Sequence, residues 1–490
     1  MTKFYTLLFL IPVLLYSQYD KVQLDNNFAN NGIYTAATSE SDEVGASKIL
    51  PDGKILFFRS DNVTGGNGET LSRHLPNGTI DTTFGNNGYV YTKNFTAPTP
   101  ANTTYFDSSI LFANDGSIYI SNYKFQTLTS QIVKLNANGT INTSFGTNGK
   151  LTLTNTYVVN YSGRNQIELS NGNLLFEVTY PNGNTYNLLC LTKNGATVTS
   201  FGNNGILSFS QNINSIYSVN NQFYIITDEY FTNDSTKFSI KRFNNNSTSD
   251  SSFQTIVTSG LHSTSQFLNN DSLNNLYVIT NYQNETDDNV SSEIRKYTSE
   301  GLPITNFGNN GLIFNPHYGF ISIIFDSNDN PLFCGVKDYG NLYNPIIAKY
   351  SKSGILDTKF NQTGYYEELN SSLGYYLDFA FNPLANNEII TSGVADNTEI
   401  KFLAKYKLTP VLSTKETDNS KIQFYPNPAQ DFISIENIKN QTDLEIYDMQ
   451  GKLVKREKYK NAQISVTDLS KGVYLLRIPS ENYSQKLIVE

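Results

Sequence analysis

One short phrase recurs along most of the chain, and its period constrains the fold more than any other feature. "TFGNNGYV" begins at Thr83, "SFGTNGKL" at Ser144 and "NFGNNGLI" at Asn306. The phenylalanine of the phrase, hereafter the marker phenylalanine, stands at Phe28, Phe84, Phe145, Phe201, Phe253, Phe307 and Phe360. Subtracting successive positions gives a period of 52–61 residues. This period is too long for one coil of a β-helix and fits a four-stranded blade of a β-propeller.

Each repeat unit also carries the signals of short antiparallel strands. Turn pairs between apolar runs, as in "ILPDGKILFF" and "LSNGNLLFEV", predict tight hairpins. "LAKY" (Leu403 to Tyr406) repeats the strand that precedes each marker, but no marker follows it. Conversely, "LDNNFANNG" at the start has a marker with no such strand before it. The two ends complement each other, so the sequence predicts a closed ring of seven blades.

Composition supports an all-β protein and excludes one class of partner. The chain holds 33 Tyr and 31 Phe but no Trp, and only 16% of its residues are charged. Aromatic residues favour strands, whereas the abundant Asn and Gly favour tight turns. The net charge of −9 argues against nucleic-acid binding, which needs clustered cations.

The marker phrase is predicted to be architectural because it occurs in nearly every unit. Its phenylalanine would pack between adjacent sheets, and its Asn and Gly would accept the positive φ of a tight turn. The alternative is that each copy forms the same ligand pocket. "DTTFGNNG" after a strand and "NG" resembles the delta-60 repeat of secreted bacterial proteins, over residues 22–408. That resemblance implies no established activity, and the fifth copy, "DSSFQTIVTSG", departs from the pattern.

The N-terminus has the organisation of a secretory signal peptide, assigned to residues 1–17. Lys3 is followed by an apolar run from Phe4 to Tyr16, which is short for a membrane span. Ser17 is a small residue suited to the position before cleavage, so the predicted cut lies between Ser17 and Gln18. No later stretch is apolar and long enough to be predicted as a transmembrane segment.

The C-terminal part is predicted to be a separate small β-sandwich. The polar segment 409–420 is interpreted as a linker, and short alternating runs over residues 421–490 predict strands. "FYPNPAQDFISI", "IYDMQGKLV", "LSKGVYLLRI" and the terminal "KLIVE" resemble the C-terminal sorting domain of the Bacteroidota type IX secretion system. The family pattern falls on Pro426, Asn427, Pro428, Gly451, Gly472, Tyr474 and Lys486.

This resemblance implies a route and a set of partners. The chain would cross the inner membrane by its signal peptide and the outer membrane by the type IX machinery. It would then be released or held on surface lipopolysaccharide. The alternative from the residues alone is an ordinary accessory β-sandwich.

Few residues suggest catalysis or metal binding. His74 occupies an apolar repeat position and is predicted to be a packed ring, while His262 and His317 lack metal-ligand spacing to a partner. The oxygen-rich segments 326–330 and 284–289 could each hold a cation, but the first falls where other units have a hairpin turn. No catalytic constellation is visible, and neither a metal nor a cofactor is predicted.

A charged pattern repeats with the blades. Basic residues recur at one strand position, at Arg73, Lys134, Arg242, Lys296, Lys349 and Lys405, with Cys190 in the remaining unit. An acid often precedes the marker by three residues, at Asp25, Asp81, Asp250 and Asp357. We favour an ion pair within each blade over a ring of cations that holds an anionic glycan.

Residues that do not repeat are the better candidates for ligand contacts. The longest interval contains "YTKNFTAPTPANTTYFD", in which Tyr91, Phe95, Tyr105 and Phe106 could stack on sugar rings. The alternative is that these rings pack back onto the blade.

The sequence as a whole predicts an exported, non-catalytic propeller that binds or adheres at the cell surface. We expect a monomer whose partners are the type IX machinery and a surface glycan or lipopolysaccharide. An extracellular polysaccharide hydrolase or lyase, or a structural surface component, are the alternatives. Cys190 and Cys334 lie in units that are not neighbours around the ring, so both are predicted to be free thiols.

Overall fold

The chain forms two compact units, Met1–Pro410 and Val411–Glu490. The computed structural model describes residues 19–36, 45–61, 68–95, 106–124, 129–154, 158–159, 165–179, 185–231, 235–261, 263–283, 290–339, 343–369, 375–382, 385–394, 400–410, 423–436, 442–459, 463–479 and 483–490. The predicted cleavage site at Ser17 and Gln18 lies outside these residues.

The first unit consists of seven antiparallel sheets, here called blades 1 to 7. Blade 1 contains β3 (Gly45–Ile49), β4 (Ile55–Asp61), β5 (Gly68–His74) and β6 (Tyr89–Tyr91). Blade 2 contains β7 (Phe106–Phe112), β8 (Ile118–Lys124), β9 (Thr129–Leu135) and β10 (Lys150–Thr154). Blade 3 contains β11 (Val158–Val159), β12 (Gln166–Glu168), β13 (Leu174–Thr179), β14 (Tyr186–Leu191) and β15 (Ile206–Phe209).

Blades 4 to 6 each take four consecutive strands. Blade 4 contains β16 (Asn212–Val219), β17 (Gln222–Tyr230), β18 (Ser235–Asn244) and β19 (Ile256–Leu261). Blade 5 contains β20 (Ser263–Asn270), β21 (Leu276–Gln283), β22 (Val290–Tyr297) and β23 (Leu312–Pro316). Blade 6 contains β24 (Tyr318–Phe325), β25 (Pro331–Asp338), β26 (Tyr343–Lys349) and β27 (Tyr365–Glu367). Two short 3₁₀ turns, Thr92–Phe95 and Phe360–Gln362, flank strands of blades 1 and 6.

Blade 7 joins the two ends of the unit. It combines β28 (Tyr375–Asn382), β29 (Ala385–Val394) and β30 (Lys401–Pro410) with β1 (Tyr19–Leu24) and β2 (Ile33–Thr35) from the start of the chain. Val22 pairs with Leu408, and Tyr34 pairs with Leu403, both in antiparallel register. The complementary ends predicted from the sequence thus complete one blade, and the predicted seven-bladed β-propeller is confirmed.

The hydrophobic core of the propeller lies between blades rather than within them. Seven buried clusters each combine side chains of two neighbouring blades. One cluster joins Ile390 and Leu403 of blade 7 to Ile55 and Phe57 of blade 1, so the series has no open end. A single blade therefore cannot bury its apolar faces without both neighbours.

The marker phrase connects each blade to the next, as predicted. The seven marker phenylalanines are between 0% and 7% exposed. The ring of Phe84 lies against Gly139 of the following blade, and the backbone N–H of Gly85 donates to the carbonyl of Asn138 at 2.8 Å. Equivalent bonds run from Ala29 to Asn77, Gly146 to Asn194, Gln254 to Glu300 and Gly308 to Ser353.

The divergent fifth copy keeps this contact but changes the turn behind it. Phe253 is still buried, and the backbone N–H of Gln254 still bonds the next blade. Strand β19 begins at Ile256, three residues after the marker, whereas β15 begins five residues after Phe201. Val257 therefore lies inside a strand, where the glycine of the other copies would make a tight turn.

The second unit is a two-sheet β-sandwich. One sheet contains β31 (Gln423–Tyr425), β32 (Phe432–Glu436) and β35 (Gln463–Ser465), and the other contains β33 (Asp443–Asp448), β34 (Leu453–Lys458), β36 (Gly472–Ile478) and β37 (Tyr483–Val489). Ile433 of the first sheet and Ile446, Leu476 and Leu487 of the second form a common buried core.

Both cysteines are buried and neither forms a disulfide, as predicted. Cys190 lies in the core between blades 3 and 4, and Cys334 lies in the core between blades 6 and 7. Burial raises the pKa of the Cys190 thiol to about 12, which keeps it protonated and unreactive at neutral pH. Within the described residues, no helix has the length and apolar character needed to cross a membrane.

The glycine that faces each marker phenylalanine should be sensitive to a single added methyl group. A Cβ on Gly139 would lie 2.9 Å from the Phe84 ring and 2.9 Å from the backbone N of Gly85, and its φ is +83°. Gly116 has a φ of +81°, but the nearest atom to an added Cβ is Ala137 Cβ at 3.2 Å. We expect Gly139→Ala to lower the free energy of unfolding by about 1–3 kcal/mol more than Gly116→Ala.

Differential scanning calorimetry of both variants provides the measurement. Because both substitutions place Ala at a positive φ, the difference between them isolates the contact between blades. Equal melting temperatures would show that this contact does not limit stability.

Candidate functional site

The two ends of the blades differ in how much of their sequence repeats. The hairpin between the first and second strands and the segment with the marker phrase lie at one end, because neighbouring strands are antiparallel. The connections between the second and third strands, and between successive blades, lie at the other end. The predicted aromatic loop, residues 91–107, separates β6 of blade 1 from β7 of blade 2 in the sequence, and its residues 96–105 lie outside the described residues.

The repeated basic residues are used inside the blades. Arg73 Nε lies 2.9 Å from Asp81 Oδ2, and Arg242 Nε lies 2.8 Å from Asp250 Oδ2. Each arginine also donates to a backbone carbonyl of the next blade, at Ala137 and Ser299. The predicted ion pair within a blade is confirmed at these positions.

The lysines at the same position reach acids in several ways. Lys405 meets Glu388 at 2.6 Å and Asp25 at 3.5 Å. Lys349 meets Asp326 at 3.1 Å and lies 3.9 Å from Asp357. Because the ammonium groups are already paired, a ring of cations free to hold an anionic glycan is not supported.

Two lysines lack the predicted acid before the marker and use other groups. Lys296 pairs with Asp271 at 3.0 Å, from the hairpin of its own blade. Lys134 Nζ donates to the carbonyl of Lys193 in the next blade at 3.0 Å. In the six blades that have a basic residue here, its side chain therefore contacts an acid, a carbonyl group of the next blade, or both.

The charge of Asp81 is stabilised by its surroundings. Burial alone would raise the pKa of its carboxyl, but hydrogen bonds from Thr83 and Lys54 and the charge of Arg73 hold that pKa below its usual range. The side chain is almost wholly buried, so these partners replace its lost hydration.

The described histidines do not form a catalytic or metal site. His74 is fully buried, lies 4.3 Å from the Tyr34 ring and interacts with the Ser72 hydroxyl at 3.0 Å. Burial lowers the pKa of His74 to about 4, so the ring is neutral, as a packed ring should be. His317 lies in an exposed turn, and His262 lies outside the described residues.

The oxygen-rich segment 326–330 is a hairpin turn. The Asp326 carboxylate accepts the backbone N–H groups of Asn328 and Asn330, both at 2.9 Å, and pairs with Lys349. The turn interpretation thus explains the acid without a calcium ion. Residues 284–289 lie outside the described residues, and no group of three or more acids, His or Cys in the described part could hold a metal.

The two aromatic candidates whose side chains the structure describes, Tyr91 and Phe95, have different surroundings. Phe95 is 4% exposed and packs in the core between blades 1 and 2, so its ring is not presented to a ligand. Tyr91 is half-buried and stacks on Tyr89 with ring centroids 6.1 Å apart. Tyr105 and the side chain of Phe106 lie outside the described residues.

A cavity that the sequence did not predict lies at the axis of the propeller. The first strands of neighbouring blades contact each other and therefore line this axis. The ends of four of them, β7, β12, β16 and β20, enclose a cavity of about 340 Å³. Its apolar wall includes Leu111, Ile216 and Leu268, and Gln166 and Glu168 lie beside them. The cavity lies toward the repeated end of the blades.

Gln166 is the unusual residue of this cavity. Its side chain is buried, and Ser121 Oγ donates to its Oε1 at 3.4 Å. No described residue accepts a hydrogen bond from its Nε2. Ile110 in β7 and Leu268 in β20 stand at the same distance from the end of their strands. The same position holds Ser47 in β3 and Tyr217 in β16, so no pattern in the sequence singles out Gln166.

Charges beside the cavity are balanced. Glu168 and Asp115 both contact Lys193 Nζ, at 2.7 Å and 2.9 Å. Burial lowers the pKa of Lys193, but hydrogen bonds to these two carboxylates outweigh it, and the net effect raises the pKa. Glu168 is the only carboxylate among the described residues that line the cavity. This arrangement differs from the two facing carboxylates that glycoside hydrolysis requires.

The sorting motif of the second unit covers the edge of its C-terminal strand. Asn427 Nδ2 donates to the carbonyl of Lys486, and its Oδ1 accepts the backbone N–H of Ile488, both at 2.8 Å. The peptide bonds before Pro426 and Pro428 are cis. Proline lacks an N–H, so the side chain of Asn427 provides the pairing that these neighbours cannot.

The other family positions lie in or beside the same sheet, on both of its faces: Tyr474 pairs with the buried Leu487, whereas Lys486 pairs with Leu475 on the outer face. Gly451, Tyr474 and Lys486 line an open groove of about 860 Å³ that also contains Tyr447 and Leu475. Gly451 has a φ of +81° in the hairpin turn, which favours glycine. Gly472 begins β36.

Comparisons with known proteins agree with the C-terminal assignment. Residues 423–490 match the family model described as a secretion system C-terminal sorting domain. The match indicates export by the type IX secretion system to the cell surface or the extracellular space. No curated protein matches the chain.

Solved structures with likeness to this chain are distant in sequence. PorZ, an essential bacterial surface component of the type IX secretion system of Porphyromonas gingivalis, is 12% identical, with 92% of this chain and 70% of that chain covered and a TM-score of 0.30. The polysaccharide lyase Uly1 is 9% identical, with 78% and 93% covered and a TM-score of 0.44. The β-propeller domain of the Trilobed protease from Pyrococcus furiosus is 9% identical, with 78% and 98% covered and a TM-score of 0.38.

Removing the charge of Asp81 should weaken the propeller in a pH-dependent way. At pH 7 we expect Asp81→Asn to lower the free energy of unfolding by about 1–3 kcal/mol, because charged hydrogen bonds are lost. The folded-state pKa lies below the unfolded one, so the contribution is present above about pH 4 and is lost as the pH falls further. Thermal unfolding at pH 7 and pH 3 should show the gap to the wild type narrowing in acid. Glu229→Gln, at an exposed pair with Lys237, serves as the control. A gap that stays constant with pH would contradict the assignment.

Asn427→Ala should loosen the C-terminal strand. The variant loses both hydrogen bonds to β37, so we expect faster amide exchange in the C-terminal peptide, measured by mass spectrometry on the intact protein. Gln450→Ala, in the exposed β33–β34 turn, is the matched control and should leave that peptide unchanged. Unchanged exchange in Asn427→Ala would mean that other contacts hold the strand.

Proposed function

We propose that the protein is a non-catalytic binding module that recognises a glycan at the cell surface or in the extracellular medium. The axial cavity carries this proposal, since it is a concave site on a rigid scaffold, where a largely polar lining stands beside aliphatic side chains. Its carboxylate already pairs with a lysine, which suits binding better than proton transfer.

The wider assignment follows the sequence. Residues 1–17 would be a signal peptide cut between Ser17 and Gln18, residues 18–408 the propeller of delta-60-like repeats, 409–420 a linker and 421–490 the sorting domain. The source would be a member of the Bacteroidota, and the mature protein a monomer that is released or held on lipopolysaccharide. Tyr91, Tyr105 and Phe106 remain candidates for a second contact with a long glycan.

A polysaccharide hydrolase or lyase is the second candidate, and one buried acid favours it. Asp228 in β17 is 3% exposed, and burial raises the pKa of its carboxyl. Asn214 Nδ2 donates to Asp228 Oδ2 at 3.2 Å, and no described residue pairs with its Oδ1. A buried carboxyl with a raised pKa is the kind of group that can act as a general acid.

A glycan-array screen of the purified protein distinguishes the two functions. We expect binding to at least one glycan without release of reducing sugar from that glycan, because the axial cavity has one, already paired, carboxylate. Asp228→Asn should then leave binding unchanged. Release of reducing sugar, or of an unsaturated product, that disappears in Asp228→Asn would establish the enzyme instead. Absence of binding to every glycan would overturn the proposed function.

A further inference from the structure

We infer that blade 6 provides a further glycan contact, in which the exposed ring of Tyr339 stacks on a neutral sugar unit. The inference rests on the proposed function, because it adds a contact for the same kind of ligand at another place on the propeller. Three observations lead to it: the ring is exposed, other side chains fix its position, and the arrangement is absent from the equivalent positions of blades 4 and 5.

The first observation is the way in which Tyr339 lies on the surface. The residue directly follows β25 and is 53% exposed. Its hydroxyl donates to Glu367 Oε1 at 2.6 Å, at the end of β27. Because β26 lies between β25 and β27 in the sheet, the side chain reaches across the start of β26. A ring in this position turns one face to the sheet and the other to solvent.

The second observation is the network that fixes the ring. Lys337 Nζ lies 4.6 Å from the centre of the Tyr339 ring and 3.0 Å from Glu367 Oε2. Asn344 Nδ2 donates to Glu367 Oε1 at 2.7 Å. The carboxylate thus holds a hydroxyl, an ammonium group and an amide together. A contact side chain that is oriented in advance loses less entropy when a ligand binds.

This network persists at neutral pH. Burial would raise the pKa of Glu367, but hydrogen bonds from Tyr339, Asn344 and Lys337 outweigh it and lower that pKa. The carboxylate is therefore charged under the conditions in which an exported protein would meet a glycan, and the ring keeps its anchor.

The backbone that carries Tyr339 is also held in place. The backbone N–H of Asp338 donates to the carbonyl of His317 at 2.8 Å, in the turn before β24. Asp338 Oδ2 accepts the backbone N–H of Val290 from blade 5 at 2.7 Å. The end of β25 is thus fixed both within blade 6 and to its neighbour, as a binding site on a rigid scaffold requires.

The third observation is that this arrangement does not repeat in the two preceding blades. Lys337 and Tyr339 follow Leu332, which pairs with the repeated basic residue of blade 6. The equivalent positions hold Glu229 and Phe231 in blade 4, and Tyr282 and Asn284 in blade 5. Side chains that occur once on a repeated scaffold are not needed to join each blade to the next.

Charge and shape determine the class of ligand. Lys337 is already paired with Glu367, and the carboxylate of Asp338 lies on the next residue, so a uronic acid would meet acids rather than an unpaired cation of this set. A neutral sugar avoids this repulsion. Its ring face presents C–H groups, which can pack on the electron-rich face of an aromatic ring. The half-buried rings of Tyr318 and Tyr365, stacked with centroids 5.2 Å apart, extend the aromatic surface of the same blade.

The test uses the full-length protein and a defined panel of oligosaccharides. Saturation-transfer NMR would be recorded with cellohexaose, mannohexaose and xylohexaose, and with a galacturonate oligomer as the acidic probe. Isothermal titration of each sugar that gives a signal then supplies its affinity. We expect at least one neutral sugar to bind and the galacturonate oligomer not to bind.

Tyr339→Ala should lower the affinity for that sugar about tenfold, because the stacking ring is lost. Tyr230→Ala is the matched control, since Tyr230 is another exposed tyrosine at the end of a second strand, in blade 4. Its affinity should stay within about twofold of the wild type, as a change outside the site should. Addition of the sugar to the wild type should also slow amide exchange at residues 337–339 and 365–369, a result that needs no variant to fold.

The outcomes separate the two proposals. Neutral-sugar binding with equal affinity in Tyr339→Ala, or with protection confined to the strands around the axial cavity, would overturn only this inference and leave the proposed function in place. Binding restricted to the galacturonate oligomer would overturn the ligand class. Failure of every sugar here and of every glycan on the array would overturn the proposed function together with this contact.

Discussion

The packing of each marker phenylalanine against the next blade is the contact on which the rest of the structure depends. The core lies between blades, so a blade exposes apolar surface on both faces until its neighbours are in place. Burial of one phenylalanine contributes roughly 1.5–3 kcal/mol, and the adjacent backbone hydrogen bond fixes the distance between the blades. Because each contact joins one blade to the next, every blade has a neighbour on both faces only if the last blade contacts the first. Strands β1 and β2 achieve this by pairing with β30, so the ring is stable as a whole rather than blade by blade.

This construction determines where function can lie. Residues that repeat are used to hold the ring together: the glycines meet marker rings, and the basic side chains meet acids or carbonyl groups of the next blade. Such groups cannot contact a ligand without releasing the contact that fixes a blade. Ligand-binding side chains are therefore expected at positions where one blade departs from the others.

The same distinction explains how far the sequence alone could go. The sequence predicted the period, the number of blades, the closure of the ring and the role of the marker phrase. All four follow from a pattern that recurs in nearly every blade. The shift at Phe253 was visible as a departure, but its form, an earlier start of β19, depends on pairing with β18. The cavity was not predictable, because Leu111, Gln166, Ile216 and Leu268 are about fifty residues apart in the chain and meet only through the ring. The prediction that Phe95 could stack on a sugar ring was wrong for the opposite reason. Phe95 is close in sequence to Tyr91, but its side chain is buried in the core between blades 1 and 2.

The C-terminal unit separates structural and exposed roles within a single motif. Asn427 pairs with the backbone of β37, and Ala429 continues this pairing by donating its N–H to the carbonyl of Ile488 at 2.8 Å. A strand at the edge of a sheet would otherwise present free backbone groups to other chains. Lys486 lies on the same strand, but its side chain is exposed and adds nothing to the buried core. The asparagine is therefore part of the structure that holds the sandwich together, whereas the lysine side chain lies on its surface.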